Sequence, residues 1–390
     1  MIRAAPACAA LLALAGCSTV PGNEPKVELT VAGPPIASSE TAKPYLYAPP
    51  EIPEGMSGGG ALEQHWSMLG REDMAAAQPD ADEYLPSDCA ASDPAIAGTD
   101  AVLDEIVRRA RDTRVTIVNE SHYVTRHRDF SRRLIERLRP LGYTVFAAET
   151  FMNVDGEPDP ALVNRPLPYP HIESGHYSSE PVFGQLVRRA KELGYRFGVY
   201  EQVFDPATRN DPVDEQIARR EEAQAAHLAA ILAEMGEDEK LVVHVGYSHA
   251  RESIFRNAEG VETAWMAARL RRMTGIDPLT VSQFDCRGGS EATMLSQSRD
   301  YYADWFDMSV DHPLDGFRFG RAAWRFDEAQ AVAIPAALRP GSEPLVIEAF
   351  RAGEPFEAVP EDRVYVEPGE DVRLALRPGR YTVRAVRLAE

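Results

Sequence analysis

An alternation constrains this chain more than any other feature. Five short apolar runs, "VTIVN" (115–119), "TVFAAE" (144–149), "YRFGVYE" (195–201), "KLVVHVG" (240–246) and "PLTVSQ" (278–283), read as strands. Between or beside them lie amphipathic stretches with helical period: "DAVLDEIVRRA" (100–110), "HRDFSRRLIERLRPLG" (127–142), "PVFGQLVRRAKELG" (181–194), a long one over 214–236, and "ETAWMAARLRRMTG" (262–275). Parallel neighbours need crossovers of helix length, so the order predicts an α/β protein with a largely parallel sheet flanked by helices. Past Gln283 the period is lost in aromatic-rich sequence. "PLVIEAFR", "DRVYVE", "DVRLAL" and "RYTVRAVRL" then predict a small C-terminal antiparallel β module.

Parallel open sheets gather ligands outside the carboxyl ends of their strands. Here those ends carry Asn119-Glu120-Ser121-His122, Glu149, Tyr200-Glu201, Gly246-Tyr247-Ser248-His249 and Gln283. One Glu after a strand is readily a cap, and one His is readily a core residue. Four consecutive ends with Glu or His point to a site. The connection after Glu149 is long and Pro-rich, with Tyr169, His171, His176 and Tyr177. It reads as a lid or specificity segment whose centre, between Pro158 and Ser178, contributes few core contacts.

The termini and cysteines bound the rest. "MIRAAPACAALLALAGCSTV" reads as a secretory signal over residues 1–16. Its Leu14-Ala15-Gly16-Cys17 ending resembles the lipobox of bacterial lipoproteins, which implies acylation of Cys17, attachment to a membrane through the N-terminal lipid and, with Ser18 next, an outer-membrane, periplasm-facing location. Residues 17–98, rich in Pro, Gly and acidic residues, read as a tether; 99–284 as the α/β core, 285–342 as an aromatic extension and 343–390 as the β module. Cys89 and Cys286 remain for an oxidising compartment, as a pair or as two thiols. A net charge of −20 argues against nucleic acid as a partner.

The quoted motifs, in this order on a βα framework, resemble the superfamily of ChaN-like haem-binding lipoproteins, TIKI-type proteases and erythromycin esterases, the ChaN-like branch most closely. The resemblance covers about residues 100–283 and rests on two Gly-x-x-His motifs and an intervening Glu. Asn119 departs from it by standing where the first Gly is expected, a place where Asn tolerates left-handed backbone.

Chemically, Glu120, His122, Glu149 and His249 converging at one edge offer two uses. His122, Glu149 and His249 can ligate a divalent metal that activates water, or the set can act as a metal-free acid/base group with Arg251 stabilising an oxyanion. The expectation is an outer-membrane-anchored hydrolase of an unidentified ester or amide in a small-molecule or peptide substrate. The alternative is a haem- or iron-binding protein of the ChaN type, with Tyr123, His127 and Tyr247 as further ligands. A member that only binds a partner is the third reading.

Overall fold

The computed structural model describes residues 26–51, 60–151, 160–203, 205–256, 262–288, 290–299 and 304–389. Cys17 and the N-terminal signal lie outside the described residues. No helix among those described is long and apolar enough to cross a membrane.

The fold is mixed α/β with several sheets. The largest has eight strands: β1 (Cys89–Ala91), β2 (Val115–Glu120), β3 (Tyr143–Ala148), β4 (Arg196–Gly198), β5 (Lys240–Gly246), β6 (Leu279–Ser282), β7 (Met294–Ser298) and β8 (Met308–Asp311). Their order is β1-β7-β8-β6-β2-β5-β3-β4. From β8 to β4 every pairing is parallel, whereas β7 pairs antiparallel with both β8 and β1. The parallel expectation therefore describes the central part of this sheet, not the fold as a whole.

The pleat explains why helices cover both faces. Successive strand residues point to opposite sides, so Val118, Phe146, Val242 and Val281 join one core with α1 (Thr99–Arg109), α2 (Thr125–Leu138) and α3 (Pro181–Glu192). Val115, Ile117, Val145, Leu241 and Val243 join the other, beneath α4 (Val213–Glu234) and α5 (Met266–Thr274). Gly275, at φ 71°, ends α5 in the left-handed conformation that glycine adopts without strain.

Two expectations need correction. The last strand, Gly379–Arg387, pairs antiparallel with Leu345–Arg351 but parallel with Val27–Val31 and Ile36–Ala37. Three of the four C-terminal runs therefore form a mixed five-stranded sheet that recruits the N-terminal segment, while the fourth, Arg373–Leu376, pairs antiparallel with Gln330–Ala333 in a separate two-stranded sheet. For the same reason the described residues before 99 are not a free tether. Tyr47 and Leu69 are fully buried, in a cluster with Val346, Val359 and Tyr365. Their scattered aromatics find a core only through partners some 300 positions away, a long-range match that local composition cannot signal. The two cysteines form a Cys89–Cys286 disulfide.

Candidate active site

The site is built at the carboxyl ends of β2, β3 and β5. Asn119 ties the ends of β2, β5 and β6 together. Its Nδ2 donates to the Tyr247 carbonyl (2.9 Å) and Ser282 Oγ (3.3 Å), and its Oδ1 accepts from the Gln283 amide (2.7 Å). The left-handed residue of this region is instead Tyr247, at φ 41°. Thus Asn119 serves as a bridge between strand ends within β2, not as a turn former.

Glu149 stands at the centre. Its Oε2 accepts from the Gly246 amide (2.6 Å) and its Oε1 from Arg220 Nη2 (2.5 Å). Burial alone would raise its pKa, but His249, His122 and Arg220 outweigh it and hold the carboxyl down at about 2. Gly246 is required by close approach. A Cβ there would collide with the His122 imidazole and come 3.1 Å from Glu149 Oε2. Hence "HVGYSH" has glycine where His122 and Glu149 meet.

Each histidine is held by its own glutamate. His122 Nδ1 lies 3.1 Å from Glu120 Oε1. Glu120 is itself fixed by the fully buried Arg128, whose Nε and Nη2 donate side by side to its two oxygens at 2.8 and 2.9 Å. Against burial, Arg128, His244 and His122 hold the Glu120 carboxyl far below the usual range. Ionised Glu120 can only accept, so Nδ1 carries the proton and Nε2 is the ring atom turned toward Gly246 and Glu149. The ring is stacked by Tyr177 at 4.0 Å and edged by Tyr247 at 4.9 Å. On the opposite side His249 Nδ1 lies 2.6 Å from Glu221 Oε1, a close charge pair without in-line hydrogen-bond geometry. Its Nε2 is 3.2 Å from Arg220 Nη1 and 3.8 Å from Glu149 Oε1. Burial opposes charging His249, but Glu149 and Glu221 prevail and its pKa is raised.

The loop read as a lid is instead a wall. Ile172, Ser174, Ser178 and Ser179 are buried, and Glu180 accepts from the Val182 and Phe183 amides (both 2.8 Å) to cap α3 while pairing with Arg128 at 3.1 Å. Lys43 clamps this loop by donating to the Gly175 carbonyl (2.6 Å) and Ser179 Oγ (2.9 Å). The stretch between Pro158 and Ser178, where described, is thus anchored in the core at Val163, Ile172, Ser174 and Ser178, while Asn164, Arg165, Pro166 and Pro168 are exposed.

The structure brings His122 and His249 to Glu149, with Glu120 and Tyr247 packed on His122. It turns three other candidates elsewhere. Arg251 stacks on Trp305 at 3.3 Å; Tyr123 is buried and stacks on Tyr84. His127 is buried with Nδ1 accepting from the Ser121 amide (3.0 Å), and burial pushes its pKa down to about 3. His244 is a core histidine between Phe183 and Phe146, likewise lowered by burial, to about 4.

Sequence reasoning missed Arg128, Arg220 and Glu221. A signal existed on α4. Glu221 and Gln224 are buried and Arg220 adjoins them on the stripe that continues through Ala225, Leu228 and Leu232 into the core. Polar residues on an apolar stripe mark a buried polar site.

As arranged, His122, Glu149 and His249 do not fit a divalent cation. Arg220 already occupies Glu149 Oε1, and among the described residues no group of three or more His, Cys, Asp or Glu is placed to hold a metal.

No family model and no curated protein matches the chain. Among solved structures it is similar to one of bacterial protein toxins (17% identity over 58% of this chain and 46% of that one, TM-score 0.35). It is also similar to RRSP, a MARTX toxin effector domain from Vibrio vulnificus (15%, 63% and 48%, TM-score 0.37), and to the type III effector HopBA1 (12%, 57% and 100%, TM-score 0.35). The chain spans about half the length of the first two. These are toxin and effector domains, not ChaN-like lipoproteins, TIKI-type proteases or erythromycin esterases, and the family resemblance is corrected accordingly. With it fall the ester or amide hydrolase and the haem-binding alternative. At these scores the similarity assigns no activity in their place.

Proposed function

We propose that the chain is an enzyme with a metal-independent acid–base site made of two Glu–His pairs, Glu120–His122 and Glu221–His249, facing each other across Glu149. The observation that carries this is the division of roles. His122 has its Nδ1 committed to Glu120 and keeps Nε2 for taking a proton. His249 lies between Glu149 and Glu221, which favour its charged form against burial and Arg220, so that it has a proton to give once a substrate displaces Arg220 Nη1, now donating to its Nε2. Arg220, bound to Glu149 and to Glu201, offers positive charge at the rim for negative charge that develops during transfer.

The test is turnover against a panel of peptide, nucleotide and sugar-phosphate substrates, followed by mass spectrometry. His122→Gln and His249→Gln are each expected to abolish the turnover found in the native chain, and chelators to leave it unchanged. Turnover that survives in both variants, or that is lost to a chelator and restored by metal, overturns the reading.

We also infer an oxidising compartment, supported by the Cys89–Cys286 pair across a sequence separation of 197 residues. Cys286→Ser is expected to destabilise the chain by roughly 2–5 kcal/mol, read as a fall in melting temperature. An unchanged melt on reduction argues against the inference.

A further inference from the structure

The C-terminal sheet carries a concentration of positive charge that the acid–base site does not use. Where Leu345–Arg351 ends and Gly379–Arg387 begins, a groove of about 440 Å³ opens, a size within the range of small-ligand sites. Arg351, Arg377 and Arg380 line it, and Glu361 is the one carboxylate among its lining residues. In a chain of net charge −20, such a local excess of guanidinium has to be built by placement.

Glu361, 1% exposed, anchors the arginines from beneath. Its Oε2 accepts from Arg351 Nε (2.8 Å), and its Oε1 lies 3.6 Å from Arg377 Nη1. Arg188 of α3 also approaches Oε2, at 3.6 Å, so one buried carboxylate is shared by three cations. The outer contacts are weaker. Arg351 Nη1 reaches Glu192 (3.2 Å) and Arg377 Nη2 reaches Glu328 (2.8 Å), but all four side chains are 32% to 42% exposed, where an ion pair contributes little and a stronger anion can displace it. The exposed Arg380 side chain has no hydrogen-bond or ion-pair partner among the described residues.

The turn that presents these groups is held in place. Tyr381 donates its hydroxyl to the Arg377 carbonyl (2.9 Å), the Ala352 amide donates to the Arg380 carbonyl (2.9 Å), and Arg377 Nη1 donates to Gln185 Oε1 on α3 (2.9 Å). A ligand therefore meets guanidiniums whose backbone is already ordered, which lowers the cost of binding.

We propose that this groove is a binding site for a small ligand bearing a multiply charged phosphate group, separate from the acid–base centre. Guanidinium forks match pairs of phosphate oxygens, and more than one negative charge is needed to outcompete Glu192 and Glu328.

The experiment is calorimetric titration of the full chain with pyrophosphate, and with citrate as a carboxylate of comparable charge. Pyrophosphate is expected to bind, and citrate to bind more weakly. Arg380→Gln and Arg351→Gln are each expected to weaken pyrophosphate about tenfold, the loss of one charge-assisted contact. Arg220→Gln is expected to bind it like the native chain, which places the ligand outside the acid–base centre. Should Arg351→Gln lower the melting temperature by freeing the buried Glu361, the exposed Arg380→Gln carries the test alone. The proposal is overturned if pyrophosphate does not bind at about 1 mM, if citrate binds equally well, if Arg380→Gln binds pyrophosphate unchanged, or if Arg220→Gln abolishes the binding.

Discussion

Two clusters of buried charge in this molecule use the same residue types to different ends. Glu72, Arg321, Arg325 and Asp362 join the N-terminal helices to the C-terminal sheet through contacts of 2.6 to 3.3 Å, every side chain at most 3% exposed. The cluster around Glu149 also pairs carboxylates with guanidiniums, but it adds two imidazoles and leaves the Arg220 side chain 36% exposed. The first contains only carboxylates and guanidiniums, each committed to a partner in the cluster. The second contains ring nitrogens that exchange protons and a rim that a substrate can reach. Burial and pairing therefore do not by themselves mark a site; titratable atoms left uncommitted beside the pairs do.

The sharpest break of this comparison is Asp362→Ala. It leaves Arg321 and Arg325 buried with Glu72 alone and is expected to cost about 3–5 kcal/mol, read by urea unfolding. A loss below about 1 kcal/mol would make the cluster energetically equivalent to a surface ion pair.

Next in size is the response to acid, expected from the site side of the molecule. His244 titrates near 4 in the fold against 6.5 unfolded, and Glu149 near 2 against 4.5. In both cases the unfolded chain takes up the proton first. Stability is thus full above the unfolded value and falls with pH, from 6.5 toward 4 for His244 and from 4.5 toward 2 for Glu149. His244→Leu is expected to flatten the upper part of that fall in a melting-temperature profile. An unchanged slope would deny His244 its share.

Glu221→Gln is a smaller change, expected to cost about 1 kcal/mol and to lower the His249 pKa, which depends on that carboxylate to overcome burial. NMR titration of the His249 ring checks it, and an unmoved midpoint would show that Glu149 alone sets the charge. For His249 the sign is opposite to that of His244. A raised folded pKa contributes stability below the unfolded value and loses it as pH rises through the folded one. Least disruptive is His122→Gln, expected within about 1 kcal/mol of the native chain although it removes the proposed base. A large destabilisation would reassign His122 to structure.

The five strands and the helices around them were legible in the chain because apolar period is a local property. The five strand runs appear as β2 to β6, four with small boundary shifts and "YRFGVYE" reduced to Arg196–Gly198, and the side chains of His122 and His249 converge on Glu149. The lid was misread because its buried partners, Lys43 and the C-terminal sheet, are remote in sequence. Arg251 sits two residues from His249, and adjacency suggested a shared task. The fold gives it to Trp305 instead.

What the sequence by itself determined is the layered α/β core and which strand ends carry ionisable groups, since both follow from short-range period and order. Which glutamate holds which histidine, why position 246 has no side chain, and that residues 27–31 complete a sheet begun more than 300 residues later were decided by the tertiary structure. Such choices depend on contacts between segments far apart in the chain, where a difference of an ångström separates a charge-assisted hydrogen bond from an unpaired buried charge.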